Sequence, residues 1–136
     1  MRGTMHHLDL TVRDVEGSAP FYDAVLGFLG YRRTRNASNG IDWDLATPKG
    51  VCSIGIKPAR SLQEHDRYSC GLHHFALRAD SRSDVDDMYR LLLNVGATIL
   101  DAPMAYPRYG NGYYAVFFAD PDGLKFEFVF YPGFAT

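Results

Sequence analysis

The chain has 136 residues, 46% of them apolar and 14% aromatic, with a formal net charge of −2. That is enough apolar material for one packed domain and sets disorder aside. The near-balanced charge leaves no electrostatic footprint for nucleic acid or a membrane surface. Cys52 and Cys70 make neither a disulfide framework nor a zinc spacing. No apolar run is long enough for a membrane span or a signal segment, so a reducing cytoplasm is the expected location.

His7-Leu8-Asp9-Leu10-Thr11-Val12 alternates strictly and predicts a half-buried strand with His7, Asp9 and Thr11 on its polar face. Asp14 can begin the next helix, and Ser18 is a second candidate cap, which would put Pro20 in the first turn. Phe21, Tyr22, Val25, Leu26 and Leu29 recur at helical spacing, and Gly30 ends the helix. Extended structure resumes at 31–35, Asn39-Gly40 signals a hairpin, and strands are expected over 41–46 and 51–57 around the turn Thr47-Pro48-Lys49-Gly50. Residues 58–70 are polar and aperiodic, as a linker would be.

The pattern then restarts. His74-Phe75-Ala76-Leu77-Arg78-Ala79 alternates like the first strand. Ser83 is the expected N-cap of a helix carrying Val85, Met88, Tyr89, Leu92 and Leu93, which Gly96 ends. A short strand at 98–100 leads to a loop over 102–112 rich in Pro, Tyr and Gly. Strands at 113–119 and 125–131 flank Asp120-Pro121-Asp122-Gly123, whose residues suit a tight turn. Three landmarks recur at nearly one offset: His7 and His74 lie 67 residues apart, Gly30 and Gly96 lie 66 apart, and the two Pro-containing turns lie 73 apart. The expectation is an α+β chain of two tandem β-α-β-β-β modules, 5–58 and 71–131, joined by a linker at 59–70 within one domain.

Glu127 stands out within the last strand. Phe126 and Phe128 flank it, and a carboxylate in so apolar a setting must be paired, exposed in a cavity or bound to a cation. His7 and His74 share the polar faces of equivalent strands. If the modules line a common concavity, His7, His74 and Glu127 form a two-histidine, one-carboxylate set that leaves positions open on a divalent metal. The alternative partners of Glu127 are Lys125 and Arg78, on its side by strand parity. By the same parity His6 and His73 fall with the apolar face and read as core-edge or surface histidines. Tyr106, Arg108, Tyr109 and Tyr113 crowd the Pro/Gly-shaped loop, which reads either as a wall or lid over a site or as a dimer contact. Trp43 carries the same two readings.

The opening His7 to Val15, Phe21-Tyr22 with Leu26-Gly27, the restart at His74, and Asp-Pro-Asp-Gly-Leu-Lys-Phe-Glu together resemble the vicinal oxygen chelate superfamily. That group includes glyoxalase I, bleomycin-resistance proteins, fosfomycin-resistance enzymes and extradiol dioxygenases. The resemblance implies paired modules forming a cup-shaped mixed sheet, a homodimer, and a divalent metal (Fe, Mn, Ni, Co or Zn) held by His7, His74 and Glu127. It also implies a small oxygenated substrate, with isomerase, lyase or dioxygenase chemistry in which Glu127 can also move protons. Trp43, Arg78, Tyr106, Arg108, Tyr109 and Tyr113 are then the substrate-contacting candidates. Glyoxalase I members usually add a Glu on the last strand of the first module. Here Val51-Cys52-Ser53-Ile54-Gly55-Ile56 offers none at the position equivalent to Glu127, Ile54 or Gly55. Three protein ligands are therefore expected, as in the dioxygenases and fosfomycin-resistance enzymes. The alternative function is a metal-free binding protein of the bleomycin-resistance kind.

Overall fold

The computed structural model of the chain describes residues 2–134. Two units separate, Met1–Gln63 and Glu64–Thr136. The first runs β1 (His7–Val12), α1 (Val15–Phe28), β2 (Arg32–Ala37), β3 (Gly40–Thr47) and β4 (Gly50–Pro58). The second runs β5 (Phe75–Arg78), α2 (Arg82–Asn94), β6 (Thr98–Ala105), β7 (Tyr114–Ala119) and β8 (Lys125–Phe130). Each is a β-α-β-β-β unit, and the sheet orders match: β1-β4-β3-β2 and β5-β8-β7-β6. In each sheet the first strand pairs parallel with the last, and the remaining pairs are antiparallel. Among the described residues no helix is long and apolar enough to cross a membrane.

The two helices end alike. After α1, Gly30 takes φ +93° while its N–H bonds Gly27 O and the Tyr31 N–H bonds Leu26 O at 2.9 Å. After α2, Gly96 takes φ +71°, its N–H bonds Leu93 O, and the Ala97 N–H bonds Leu92 O at 2.9 Å. This paired-bond ending needs a left-handed residue just past the helix, which glycine adopts without a Cβ clash. One start matches an expected cap and the other does not. Helix α1 begins at Val15 with Asp14 as its cap, so Pro20 lies inside the helix rather than in its first turn. Helix α2 is capped by Ser81, not Ser83: the Ser81 hydroxyl accepts from the Asp84 N–H, and the Asp84 carboxylate accepts from the Ser81 N–H. That reciprocal box satisfies two otherwise orphaned donors and outcompetes a cap two residues later.

Each sheet buries one face under its helix. In the second unit Tyr114 donates to Asp86 of α2, and Val116, Phe118, Phe126 and Phe128 share that buried face with Val85, Met88 and Leu92. In the first unit the Trp43 indole N–H donates to Asp23 of α1 at 2.9 Å, beside Tyr22, Ile54 and Ile56. The Asp120-Pro121-Asp122-Gly123 turn closes as expected. Buried Asp120 accepts from the Asp122 and Leu124 N–H groups at 2.9 and 2.8 Å, which satisfies its carboxylate locally. Strand β6 runs on to Ala105, with register irregularities between Ile99 and Met104, where a loop was expected. Its partner β7 supplies the backbone pairing, which sequence periodicity alone does not reveal. Cys52 is half-buried and Cys70 exposed, and both are free.

Candidate functional site

The face of the second sheet away from α2 carries the chemistry. Strand register sets Phe117 beside Glu127 and Ala76 on its other side, so Glu127 occupies the central strand of that face. Its side chain is buried, with the residue 3% exposed. Two groups meet its carboxylate. The Tyr113 hydroxyl donates to one carboxylate oxygen, Oε2, and the His74 imidazole Nε2 lies 3.3 Å from the other, Oε1. Neither Lys125 nor Arg78 pairs with it. Burial, and then the Glu127 bond and charge, push the Tyr113 phenol well above its ordinary value, so it stays a neutral donor at physiological pH.

A cavity of about 350 Å³ opens on this group. His73, His74, Asp101, Arg108, Lys125 and Glu127 line it together with four rings, Tyr106, Tyr109, Tyr113 and Phe117. The rings form a continuous wall. Tyr106 stacks on Tyr109 at 5.5 Å between centroids, and it meets Phe117 edge-on at 5.6 Å; Tyr109 meets Tyr113 edge-on at 5.3 Å. Tyr106 is raised above its ordinary value chiefly by burial, with the Asp101 charge adding to it and Arg108 opposing it. The loop at 106–113 is fixed by a short 3₁₀ turn, Pro107–Tyr109, and by the Tyr106 N–H bonding Tyr113 O at 2.9 Å. Gly110 and Gly112 let it lie against Tyr131 and Pro132, where a Cβ at either position would collide.

The four loop residues singled out from sequence, Tyr106, Arg108, Tyr109 and Tyr113, thus stand together with His74 and Glu127. Two candidates do not join them. Trp43 is 1% exposed beneath α1, bonded to Asp23 and with the Arg33 guanidinium 5.6 Å from its ring centre, so it is a core residue of the first unit. Arg78 is exposed on β5 opposite Val129 and outside the cavity lining. His73, expected at the core edge or the surface, is exposed and also lines the cavity, with its Nδ1 2.7 Å from His74 Nδ1. The strand begins only at Phe75, so alternation does not govern residues before it. The signal was in the sequence as a doubled His-His. His6 and His7 make the same Nδ1-to-Nδ1 contact at 2.9 Å. In both pairs the second histidine keeps Nε2 clear of its neighbour.

His7 opens β1 opposite Ser53, and Asp9 lies opposite Gly55. Gly55 in turn faces Asp42 across β3, so it holds the place in the first sheet that Glu127 holds in the second. A Cβ at Gly55 would collide with carboxylate oxygens of both Asp9 and Asp42. The first unit therefore carries its acids on the flanking strands, not the central one. Ser53 donates to Asp44 at 2.6 Å on the same face. Among the described residues no group of three or more His, Cys, Asp and Glu side chains gathers to hold a metal ion.

The sequence profile of the Glyoxalase/Bleomycin resistance protein/Dioxygenase superfamily matches residues 4–128. An uncharacterized Bacillus subtilis protein, YqjT, is 36% identical over 125 residues, covering 92% of this chain and 97% of its own length. A crystal structure from Bacillus halodurans, assigned to the glyoxalases, superposes with a TM-score of 0.80 at 30% identity, covering 96% of this chain and 97% of that one. A glyoxalase/bleomycin resistance protein from Albidiferax ferrireducens T118 superposes with a TM-score of 0.70 at 26% identity, covering 94% and 98%.

Proposed function

We propose, from the premise that the chain belongs to the Glyoxalase/Bleomycin resistance protein/Dioxygenase superfamily, that it acts on a small oxygenated molecule held in the second unit's cavity. In this reading a divalent transition metal is taken by His7, His74 and Glu127. The observation that carries it is the 3.3 Å approach of His74 Nε2 to Glu127 Oε1 at the cavity. Two donors sharing one ion, each about 2.0–2.2 Å from it, stand roughly 3–3.5 Å apart. The pair therefore fits as two ligands of a site. The His73 contact supports it too, because a ligating imidazole usually has its other nitrogen engaged. The place of His7 rests on the repeat: it opens β1 as His74 precedes β5, and its Nδ1 is engaged in the same way.

Such an ion, when bound, supplies a positive centre that stabilises negative charge developing on a substrate oxygen. The chain's own residues do the rest. The Tyr113 O–H holds Glu127 Oε2, which leaves Oε1 as the oxygen facing His74. Phe117 and the three tyrosines give the cavity an apolar wall beside Glu127, which strengthens charge interactions made against it. Isomerisation, lyase chemistry and oxygenation all draw on that stabilisation. A second reading, a metal-free binding protein, is favoured by the four aromatic rings walling the cavity.

Metal analysis separates the two. Purified protein resupplied with Fe, Mn, Ni, Co or Zn should retain about one ion per chain, and His74→Ala should lose it. Equal metal in wild type and variant would sink the metal reading and leave the binding reading standing. The family resemblance also carries a homodimer, for which sedimentation equilibrium should give twice the chain mass.

A further inference from the structure

Arg108 and Lys125 line the cavity, yet neither meets a carboxylate among the described residues. Their charges rest on rings instead. The Arg108 guanidinium carbon is 4.9 Å from the Tyr109 ring centre and 6.0 Å from that of Tyr106, and its Nη2 donates to the Tyr109 hydroxyl at 3.1 Å. Lys125 Nζ lies 4.7 Å from the centre of Phe117. Aromatic faces hold a cation in place without neutralising it.

The two acids of the lining are differently committed. Glu127 is closed off by Tyr113 and His74, and Asp101 is exposed. Aromatic cages elsewhere favour cationic ligands. Here the chain's own cations already sit over the faces of Tyr106, Tyr109 and Phe117, so a cationic ligand would meet like charge. The volume, about 350 Å³, is at the small end for ligand pockets and suits one ring with its substituents.

Resting on the reading that this cavity binds a small molecule, we propose that its ligand is a planar aromatic carboxylate. The ring packs among Tyr106, Tyr109, Tyr113 and Phe117, and the carboxylate is taken by Arg108 and Lys125. A guanidinium offers a planar fork to a carboxylate, and an ammonium adds a point charge.

The test titrates the full chain calorimetrically with benzoate, phenol, cyclohexanecarboxylate and benzyltrimethylammonium, with and without EDTA. Benzoate should bind about tenfold or more tightly than phenol or cyclohexanecarboxylate, and benzyltrimethylammonium should not bind. Arg108→Gln and Lys125→Gln, checked for native folding by circular dichroism, should each weaken benzoate by about three- to tenfold and weaken phenol by less, so that the ratio between the two falls. The benzoate advantage should survive EDTA and shrink with salt. The proposal fails if benzoate is no tighter than phenol, if the ammonium compound binds best, or if EDTA abolishes the advantage. Those outcomes leave the small-molecule reading intact. Binding of none of the four probes, in either state, would overturn both.

Discussion

Glu127 sets the demands of the second unit. A buried carboxylate without partners costs several kcal/mol, and here Tyr113 and His74 supply them from a loop and from the residue before β5. Tyr113→Phe keeps the ring and deletes the donor. It should destabilise the chain by about 1–3 kcal/mol, read as a lower denaturant midpoint at unchanged slope; no shift would mean that the bond is idle. Tyr31 gives a test in the first unit. Burial, then the neighbouring Cys52, raises its phenol from 10.0 to about 12. Below pH 10 the phenol is protonated in both states and its contribution is fully present. As pH rises from 10 toward 12 the unfolded chain ionises while the folded one does not, so stability falls. Tyr31→Phe should remove about 2 kcal/mol of that alkaline loss, measured by denaturation at pH 8 and pH 11.5. Identical pH slopes in the two proteins would refute it.

At the scale of elements, the two units share one backbone plan with different polar faces. Both helices end with the same glycine-centred pair of hydrogen bonds, and both sheets place the first strand parallel to the last. The central position is Glu127 in one sheet and Gly55 in the other, between Asp9 and Asp42. Introducing the missing acid by Gly55→Glu should therefore not rebuild a fourth ligand. Its Cβ would strike both aspartates and add a third negative charge, with an expected loss of about 1–3 kcal/mol. A variant at least as stable as wild type, holding metal more tightly, would contradict this. The Ser81 box is a smaller element-level device, and Ser81→Ala should cost about 1 kcal/mol in the same measurement.

For the whole molecule, the connection between β4 and β5 has no helix or strand over 59–74. Its backbone ties include the Ala59 N–H to Val12 O, Arg13 to Leu62 O at 3.1 Å, and a turn in which the Ser69 N–H bonds Asp66 O and the Tyr68 N–H bonds the Asp66 carboxylate at 2.9 Å. Inserting a Gly-Ser pair after Gln63 should change stability by well under 1 kcal/mol, because loop entropy grows slowly with length. A large drop in melting temperature would show that the connection is under strain.

Periodicity and turn chemistry were enough to read the duplicated β-α-β-β-β plan, both helix-ending glycines, the two Pro-containing turns and the odd carboxylate at 127. Each of these is a local rule, set by alternation, by a left-handed residue or by a ring-locked φ. Register was not readable, because it depends on which strand lies beside which. Only the paired sheets chose Gly55 over Ile54 as the counterpart of Glu127, drew Trp43 under α1 and left Arg78 outside the cavity lining. The sequence by itself determined that Glu127 needs a partner, since burial of a charge demands one whatever surrounds it. Tertiary structure decided that in the second unit the partners are Tyr113 and His74, because hydrogen bonding reaches only as far as packing brings the groups.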